Sequence, residues 1–536
     1  MQAQVTLDIS PAERGAAIGN LHYGIFFEEI NHAGDGGLYA ELIRNRSFED
    51  NASTEYWSAT GKATIRRGTT APLNSAQQGY ADVTFSAKGD AVANSGFWGM
   101  NIEAGKAYKL SLFIKAGTKA QLAMQLQDDG GKAIGEAPLT VSAGTEWKKM
   151  TATITATGSC PRGKFAIVNA ATGTASFSID VVSLFPPTFK DRENGCRIDL
   201  AQKLADMKPA FMRFPGGCYI EGQWANGVQN RFKWKETIGA IETRPGHQNV
   251  NWNYRVSDGL GFHEMLQLAE DIGAEPLFVV NVGLGHGWYQ PLDDLDEYIQ
   301  EALDAMEYAN GDADTKYGAM RIANGHEAPF NLRLIEIGNE NYNYSSTTNN
   351  DQSLEYAERY YKFYQAIKAA YPDAVCIGNV ESWGTDNPTW RNSYPVDAVD
   401  EHYYRSPSWF VSQYSKYDGY DRTKSPKIYA GEYAVTQNFG TTGTLAAALG
   451  EAIYMQGMEN NSDICIMGSY APIFVNENDQ KWMPDMIRFN ASESYGTPSY
   501  YVQKLMPNYV GKENVKWTET GNKVNDTANY GGLSTW

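Results

Sequence analysis

The sequence predicts a (β/α)8 barrel that carries an inserted β sandwich, and two observations support this prediction. From about residue 197 onward, short apolar runs typical of buried strands alternate with segments of helical period. Between about residues 52 and 187, short alternating segments are separated by Thr, Gly, Ser and Lys, and no helical period intervenes. The chain therefore reads as a parallel barrel interrupted by an all-β unit of jelly-roll size.

The elements follow in chain order. A first strand is predicted at 4–10, and a helix-like run covers 38–49. The sandwich strands are predicted at 108–116, 121–128, 148–156, 164–170 and 175–185. The barrel strands are predicted to begin near residues 22, 209, 276, 332, 374, 398, 427 and 463. The helices between them are predicted at 198–209, 262–273, 292–310, 354–372 and 444–459, with a last helix beginning at 499.

The alternative to a closed barrel is an open, doubly wound sheet. Such a sheet usually carries a Gly-rich phosphate loop after its first strand. The GDGG segment at 34–37 does not have that pattern, so we interpret it as a turn. Eight strands separated by helices favour the (β/α)8 barrel.

Four segments are expected along the chain. Residues 1–50 hold the N-terminal strand and the first barrel unit, and residues 51–188 hold the inserted β sandwich. Residues 189–506 complete the barrel, and residues 507–536 form a C-terminal tail. A chain of 536 residues exceeds one ordinary core, so several folded units are expected.

Composition and charge restrict the class of ligand. Hydrophobic residues make up 42% and charged residues 20%, as in a globular rather than a disordered protein. The net charge of −18 argues against nucleic acid or an anionic membrane as a partner, because both require basic surface. A neutral ligand fits this charge better.

The N-terminus, cysteines and histidines give no sequence signal for a signal peptide, a membrane span or a metal site. The opening MQAQVTLDIS lacks the basic and apolar regions of a signal peptide, and no apolar run approaches a membrane span of about 20 residues. Secretion or a periplasmic location would fit if this N-terminus is that of a processed mature form. The oligomeric state, homo-oligomers included, stays open. Five Cys and seven His show no metal-binding spacing, so we expect no metal and no cofactor.

Two carboxylates follow predicted barrel strands. In this fold, the side chains after the carboxyl ends of the strands form the active site. Glu340 follows strand four and Glu432 follows strand seven, each after an apolar run and a glycine. These strands lie across the barrel mouth, so both side chains can reach one bound sugar. Glycoside hydrolysis needs such a pair, one protonated acid and one ionised nucleophile. The alternative is a non-catalytic glycan-binding barrel.

Five motifs in this order resemble glycoside hydrolase family 51, the α-L-arabinofuranosidases. They are GIFFEEI at 24–30, MRFPGGCYIEG at 212–222, EIGNEN at 336–341, DEHYY at 400–404 and YAGEYA at 429–434. The resemblance implies a retaining hydrolase that releases terminal α-L-arabinofuranosyl residues from arabinoxylan- or arabinan-type polysaccharides or oligosaccharides. Because the family is said to include endoglucanases and xylosidases, these activities stay open as alternatives on the same scaffold.

The resemblance also implies roles for individual residues. Glu340 would be the general acid/base and Glu432 the nucleophile, with Asn339 binding the sugar beside the acid. Glu28 matches a substrate-binding Glu, and Tyr404 matches a Tyr close to the nucleophile.

Four further residues are assigned to the site. Cys218 stands where some family members have a sugar-binding Asn, and Asp485 stands where many have a sugar-binding Gln. Arg213 either positions the nucleophile through a salt bridge or simply neutralises buried acids, and the first is favoured because a bidentate guanidinium suits carboxylates. His402 is either a hydrogen-bond donor behind the site or a packed barrel histidine.

The resemblance adds two expectations about the other parts of the chain. The insert at 51–188 would be similar to a carbohydrate-binding module. Family members also carry a C-terminal β sandwich, of which residues 507–536 would supply only the beginning, so that this sandwich would be truncated. The strand at 4–10 would then lack its usual partners.

Overall fold

The computed structural model describes residues 5–341, 352–380, 394–438 and 443–521, and its centre is a closed barrel of eight parallel strands. In chain order the barrel strands are β1 (Tyr23–Phe26), β2 (Phe211–Phe214), β3 (Glu275–Val280), β4 (Leu334–Ile337), β5 (Val375–Asn379), β6 (Ala398–Arg405), β7 (Lys427–Val435) and β8 (Cys465–Tyr470). Neighbours around the barrel are consecutive, and β8 pairs with β1. The predicted barrel is confirmed, and the open sheet is excluded.

The barrel strands form because they are buried on both faces. In β4, for example, Leu334, Ile335 and Ile337 are fully buried, as the continuous apolar run predicts. Outside the barrel the helices are Ile198–Asp206, Gly217–Glu221, Phe262–Ile272, Asp296–Asn310, Lys316–Ala323, Gln352–Ala370, Pro407–Ser412, Leu445–Asn460 and Pro498–Tyr509. Within the described parts of the chain, no helix is both long and apolar enough to cross a bilayer.

The helix predicted over 38–49 is wrong. Tyr39 forms an isolated bridge with Cys196 instead, and the segment runs irregularly between the barrel and the sandwich. Asn45 and Phe48 have φ angles of 52° and 58°, which an α-helix cannot contain. The apolar residues of this segment are buried in the two adjoining cores, and that burial produced the helix-like spacing.

The insert consists of two antiparallel sheets packed around a core of their own. One sheet has the order Ala133–Val141, Ala120–Gln127, Cys160–Asn169, Ala91–Asn94, Trp57–Thr60, with Met100–Ile102 also paired to Cys160–Asn169. The other has the order Gly144–Thr155, Ala107–Ala116, Ala175–Phe185, Tyr80–Phe85, Thr64–Gly68. Alternating burial along Ala107–Ala116 shows why a period of two was visible in the sequence.

The N-terminal strand is longer than predicted and has a partner. Val5–Ala17 pairs antiparallel with Glu513–Gly521, from Val5 opposite Gly521 to Ala17 opposite Glu513. The expectation that this strand is left unpaired is therefore wrong. Neither strand of this pair is deeply buried, so the C-terminal strand can be polar. Its polar sequence gave no strand pattern that could be recognised.

Short strand pairs extend several loops above the carboxyl ends of the barrel strands. They are Gln223–Ala225 with Val228–Asn230, His247–Asn249 with Tyr254–Val256, and Leu284–Gly285 with Trp288–Tyr289, and a three-stranded group is formed by Phe474–Asn476, Ile487–Phe489 and Ser494–Gly496. Residues 247–256 are called the 247–256 hairpin below. This hairpin reaches Glu28 and Glu29 at the end of β1.

Candidate active site

Glu340 and Glu432 face each other at the mouth of the barrel. One carboxylate oxygen from each, together with a ring nitrogen of His402, lie within 4.8 Å of one another. His402 Nδ1 is 2.8 Å from Glu340 Oε1 and 3.6 Å from Glu432 Oε2. Glu340, just after β4, and Glu432, which lies within β7 rather than after it as predicted, therefore share one pocket.

Both oxygens of Glu432 accept a strong hydrogen bond. Arg213 Nη1 donates to Oε1 at 2.7 Å, and the Tyr404 hydroxyl donates to Oε2 at 2.5 Å. Arg213 lies on β2 and Tyr404 on β6, so the carboxylate is held from two sides. A charge-assisted pair of this kind stabilises the ionised form of Glu432 and fixes its orientation.

Arg213 is the fully buried centre of the charge network. Its Nε and Nη2 donate to the two oxygens of Glu336 at 2.5 and 2.9 Å, and Nη2 also donates to Asn339 Oδ1 at 2.9 Å. Burial opposes the charge, but Glu336 and Glu432 hold the pKa of Arg213 well above its ordinary value. Arg213 thus orients the nucleophile candidate and the amide beside the acid candidate.

The surroundings of Glu340 disfavour the ionised form of its carboxyl group. Burial raises the pKa of Glu340, and the nearby carboxylates of Glu432 and Glu221 raise it further, while the hydrogen bond from His402 opposes this shift. The side chain keeps 18% of its exposure, so it can reach a ligand. Its backbone is left-handed, with φ of 48°, which is uncommon outside glycine and turns the chain sharply after β4.

His402 connects the acid candidate to a buried carboxylate. Its Nε2 is 2.6 Å from Asp400 Oδ2, and Asp400 Oδ1 accepts the backbone N–H of Gly431 at 2.8 Å. Burial opposes protonation, but Asp400 and Glu432 hold the pKa of His402 well above its usual value. The protonated ring therefore donates to Glu340 and to Asp400 at once.

Glu28 and Cys218 line the same region from the ends of β1 and β2. Glu28 Oε1 accepts from the backbone N–H of Tyr219 and from the Trp252 indole, each at 3.0 Å. Burial, and then the charge of Glu432, raise the pKa of Glu28 to about 8. Burial also raises the pKa of the Cys218 thiol well above its usual value, so the thiol is neutral.

Glu221 is a site residue that was not assigned from sequence. Its Oε2 accepts from Asn339 Nδ2 at 3.0 Å and its Oε1 accepts from Asn341 Nδ2 at 2.9 Å, so it orients the loop after β4. The half-exposed His286 lies 3.3 Å from Oε2. Glu221 stands inside the MRFPGGCYIEG motif, but its amide partners lie more than 100 positions further along the chain.

Asp485 is deeply buried rather than open to the pocket. Its oxygens accept from Asn31 Nδ2 at 2.9 Å and from Gln480 Nε2 at 3.2 Å, and burial raises its pKa well above the usual value. The same loop brings Trp482 edge-on to Tyr404, with ring centroids 5.1 Å apart. A direct role of Asp485 in sugar binding stays a prediction.

Three groups of side chains in the described parts of the chain have ligand atoms close enough to hold a metal ion. Two of them share His402 with Glu340 and Glu432, or with Glu336 and Asp400. The third is Cys218, Glu221 and His286, and Glu221 already accepts both asparagine amides.

A closed parallel barrel with two facing acids at its carboxyl end defines the class of glycoside hydrolases. Family models of α-L-arabinofuranosidases match residues 203–422 (α-L-arabinofuranosidase 1 domain) and 431–532 (α-L-arabinofuranosidase C-terminal domain). A model described as a carbohydrate binding domain matches residues 40–173.

Curated relatives extend the likeness over almost the whole chain. α-L-Arabinofuranosidase 1 of Arabidopsis thaliana is 39% identical, covering 97% of this chain and 76% of its own length. An extracellular exo-α-L-arabinofuranosidase of Streptomyces chartreusis is 38% identical, covering 99% of this chain and 65% of its own length. The chain belongs to the α-L-arabinofuranosidases of glycoside hydrolase family 51.

One solved structure has the same architecture. It is an arabinose-bound α-L-arabinofuranosidase of family 51, with a TM-score of 0.87 and 32% sequence identity. The match covers 96% of this chain and 84% of that one.

Proposed function

We propose that this protein is a retaining, exo-acting α-L-arabinofuranosidase in which Glu340 is the general acid/base and Glu432 is the nucleophile. The observation that carries the assignment is the separation of the two acids, with one oxygen of each within 4.8 Å. Retaining glycosidases place their carboxyl groups about 5–5.5 Å apart, whereas inverting enzymes leave about 6.5–9.5 Å for a water molecule.

The first step forms a covalent glycosyl-enzyme. Glu432, oriented by its bonds to Arg213 and Tyr404, attacks the anomeric carbon with one carboxylate oxygen. The bond from that carbon to the glycosidic oxygen breaks, and the proton of Glu340 moves to the departing oxygen. The leaving group departs as a neutral alcohol.

The second step regenerates the enzyme. Glu340, now ionised, takes a proton from a water molecule that attacks the anomeric carbon, and the bond to Glu432 breaks. Arabinose leaves with the original configuration. The surroundings of the acids support these roles, because burial raises the pKa of Glu340 while Arg213 and Tyr404 donate hydrogen bonds to the two oxygens of Glu432.

The residues that would contact the sugar are assigned from their positions beside Glu340 and Glu432. Glu28, Asn339 and Cys218 border the carboxylate pair, and we assign Glu28 and Asn339 to hydrogen bonds with the arabinose hydroxyls. Cys218 is assigned a packing contact, because a neutral thiol is a weak donor. The substrates would be arabinose-containing polysaccharides or oligosaccharides, as the names of the relatives indicate.

Endoglucanase, xylosidase and purely glycan-binding functions are not favoured, because the relatives are named α-L-arabinofuranosidases. The test is turnover of 4-nitrophenyl α-L-arabinofuranoside by the wild-type protein and by Glu340→Gln/Glu432→Gln. We expect rapid release of nitrophenol by the wild type and none above background by the double variant. Cleavage of a cellulosic polymer without nitrophenol release would overturn the proposed substrate.

A further inference from the structure

A cavity of about 350 Å³ lies where the inserted sandwich meets the barrel. Residues from 41–56, with Gln77 and Phe97, line it on one side, and residues from 244–257 line it on the other. Its volume falls within the range of about 300–1,000 Å³ found for small-molecule sites. None of the candidate catalytic residues is part of its lining, so it is separate from the carboxylate pocket.

Several polar side chains lining this cavity have hydrogen-bonding atoms without a partner among the described residues. Within the described ranges, the side chains of Arg44, Asp50 and Gln248 form no hydrogen bond and no ion pair. Gln77 is 2% exposed, and its Nε2 donates to the carbonyl of Arg244, but its Oε1 has no partner among the described residues. A buried acceptor without a partner is costly, and a ligand hydroxyl would satisfy it.

Aromatic rings from the insert and the barrel lie beside these groups, of which His32, Tyr56 and Tyr254 line the cavity and Trp98 packs behind them. The Arg44 guanidinium lies 3.8 Å from the centroid of Tyr56 and 4.7 Å from that of Trp98. His32 meets Trp98 edge-on at 5.1 Å and stacks on Tyr254 at 4.0 Å. A few unused polar groups beside aromatic rings are the usual composition of a small-ligand site.

The backbone around the cavity is held in unusual conformations. His32, Tyr56, Trp98 and Asn253 have φ angles of 55°, 69°, 62° and 60°. A positive φ is an outlier for a bulky aromatic residue and persists only where the surrounding structure imposes it. Such positions cluster at ligand sites, and here they come from four separate segments of the chain.

The charges of the lining select a neutral ligand. Five carboxylates and four guanidinium groups line the cavity, so neither an isolated cation nor a phosphate would be matched. We propose that the cavity is a second saccharide site, which takes a short arabinofuranosyl segment of the polymeric substrate. The identity of the saccharide rests on the proposed function.

The 247–256 hairpin connects this second site to the carboxylate pocket. Trp252 donates to Glu28 at 3.0 Å, and the Tyr254 hydroxyl donates to Glu29 at 2.9 Å. Tyr254, Gln248 and Asn253 of the same hairpin line the cavity. A polymer held there would raise the local concentration of arabinofuranosyl ends near the nucleophile, whereas a small aryl glycoside would gain nothing.

The test is a calorimetric titration of the inactive full chain, Glu432→Gln, with α-1,5-linked arabinotriose. We expect two binding events, one in each pocket. Adding Gln248→Trp should fill the cavity and leave one event. If that variant does not fold, Asp50→Ala should weaken the second event about tenfold, as expected for the loss of a charged hydrogen-bond partner.

The matched control is Gln78→Trp in the same inactive chain, because Gln78 is exposed and does not line the cavity. It should keep both events. Two events that survive Gln248→Trp, or a single event that Gln248→Trp leaves unchanged, would overturn the second site. Failure of the proposed function would appear separately, as absent 4-nitrophenyl arabinofuranoside turnover by the wild type.

Discussion

Protonation and position distinguish the two acids at the scale of single residues. Burial and neighbouring carboxylates raise the pKa of Glu340, while Arg213 and Tyr404 bind both oxygens of Glu432. A protonated acid and an ionised carboxylate are the two forms that the double-displacement reaction consumes.

Replacing Glu340 with Ala should affect substrates according to their leaving groups. Alkyl arabinofuranosides need protonation of the departing oxygen and should lose about 10²- to 10⁴-fold in kcat/KM. 2,4-Dinitrophenyl arabinofuranoside needs little protonation, so its kcat/KM should stay within about tenfold of the wild-type value. Steady-state kinetics on both substrates provides the measurement, and equal losses on both would contradict the acid role.

Removal of the Tyr404 hydroxyl should weaken the nucleophile without unfolding the protein. Tyr404→Phe deletes the 2.5 Å bond to Glu432 Oε2, and a bond to a charged group corresponds to about a 10- to 100-fold loss in kcat. Tyr403→Phe is the matched control, because the Tyr403 hydroxyl bonds Glu401 in the core instead. Similar losses of kcat in the two variants would argue against a specific role for Tyr404.

Residue roles were predictable where a motif places a side chain at or near the carboxyl end of a barrel strand. Glu340 and Glu432 were assigned in this way. Glu221 and Asp400 lie inside quoted motifs, yet their roles depend on partners from other strands, such as Asn339 and Gly431. Sequence alone could not show these partners, because hydrogen bonding between distant segments leaves no local pattern.

At the scale of elements, the packing of β7 against β6 fixes the position of His402. Gly431 in β7 lies against Asp400 in β6, and a Cβ added at Gly431 would lie 2.1 Å from Asp400 Oδ1. Asp400 also bonds His402, and His402 bonds Glu340. The absence of a side chain at Gly431 therefore lets Asp400 hold His402 in position beside Glu340.

Gly431→Ala should therefore displace Asp400 and His402 and lower kcat about 10²-fold, the scale expected for a misplacement of about 1 Å. Gly468→Ala in β8 is the matched control, because its added Cβ would meet the flexible end of Met458 at 3.1 Å and Tyr433 only at an ordinary van der Waals distance of 3.8 Å. Aryl arabinofuranoside kinetics and thermal melting would be measured on both variants. Wild-type kcat in Gly431→Ala would refute the proposed positioning.

The elements also show what local patterns can and cannot predict. All eight barrel strands were predictable, and most of them are short apolar runs buried on both faces, whereas β6 carries Asp400, Glu401 and His402. The apolar residues of the segment at 38–49 have the spacing of an amphipathic helix. They have it because the segment crosses between two cores and buries residues in each, and no helix forms there. The pairing of Val5–Ala17 with Glu513–Gly521 joins the two ends of the described chain, and no local signal reports such a contact.

At the scale of the whole molecule, buried carboxyl groups make stability depend on pH. Glu451, on the helix Leu445–Asn460, is fully buried, and its Oε1 accepts the backbone N–H of Val435 at 3.0 Å. Burial raises the pKa of Glu451 from 4.5 to about 7. The native state thus binds a proton more tightly than the unfolded chain does.

The stability that Glu451 contributes is fully present below pH 4.5 and is lost as the pH rises through about 7. The loss is about 3 kcal/mol of unfolding free energy. Glu451→Gln, which cannot ionise, should be more stable than the wild type at pH 8 and lack this advantage at pH 4. Chemical denaturation at both values measures the difference.

Glu493→Gln, an exposed position, provides the control for this comparison and should not change the pH dependence. A Glu451→Gln protein that is less stable than the wild type at pH 8 would show that the buried group is ionised in the folded state at no net cost.

The assignment of Glu340 as the acid/base and Glu432 as the nucleophile is tested most directly by the configuration of an azide adduct. Each alanine variant would be incubated with 2,4-dinitrophenyl α-L-arabinofuranoside and sodium azide, and the arabinofuranosyl azide would be identified by NMR. Glu432→Ala should give the β azide, because azide enters from the face that the nucleophile has vacated, and Glu340→Ala should give the α azide, because azide attacks the covalent intermediate. An α azide from Glu432→Ala, or no azide from either variant, would contradict the assignment.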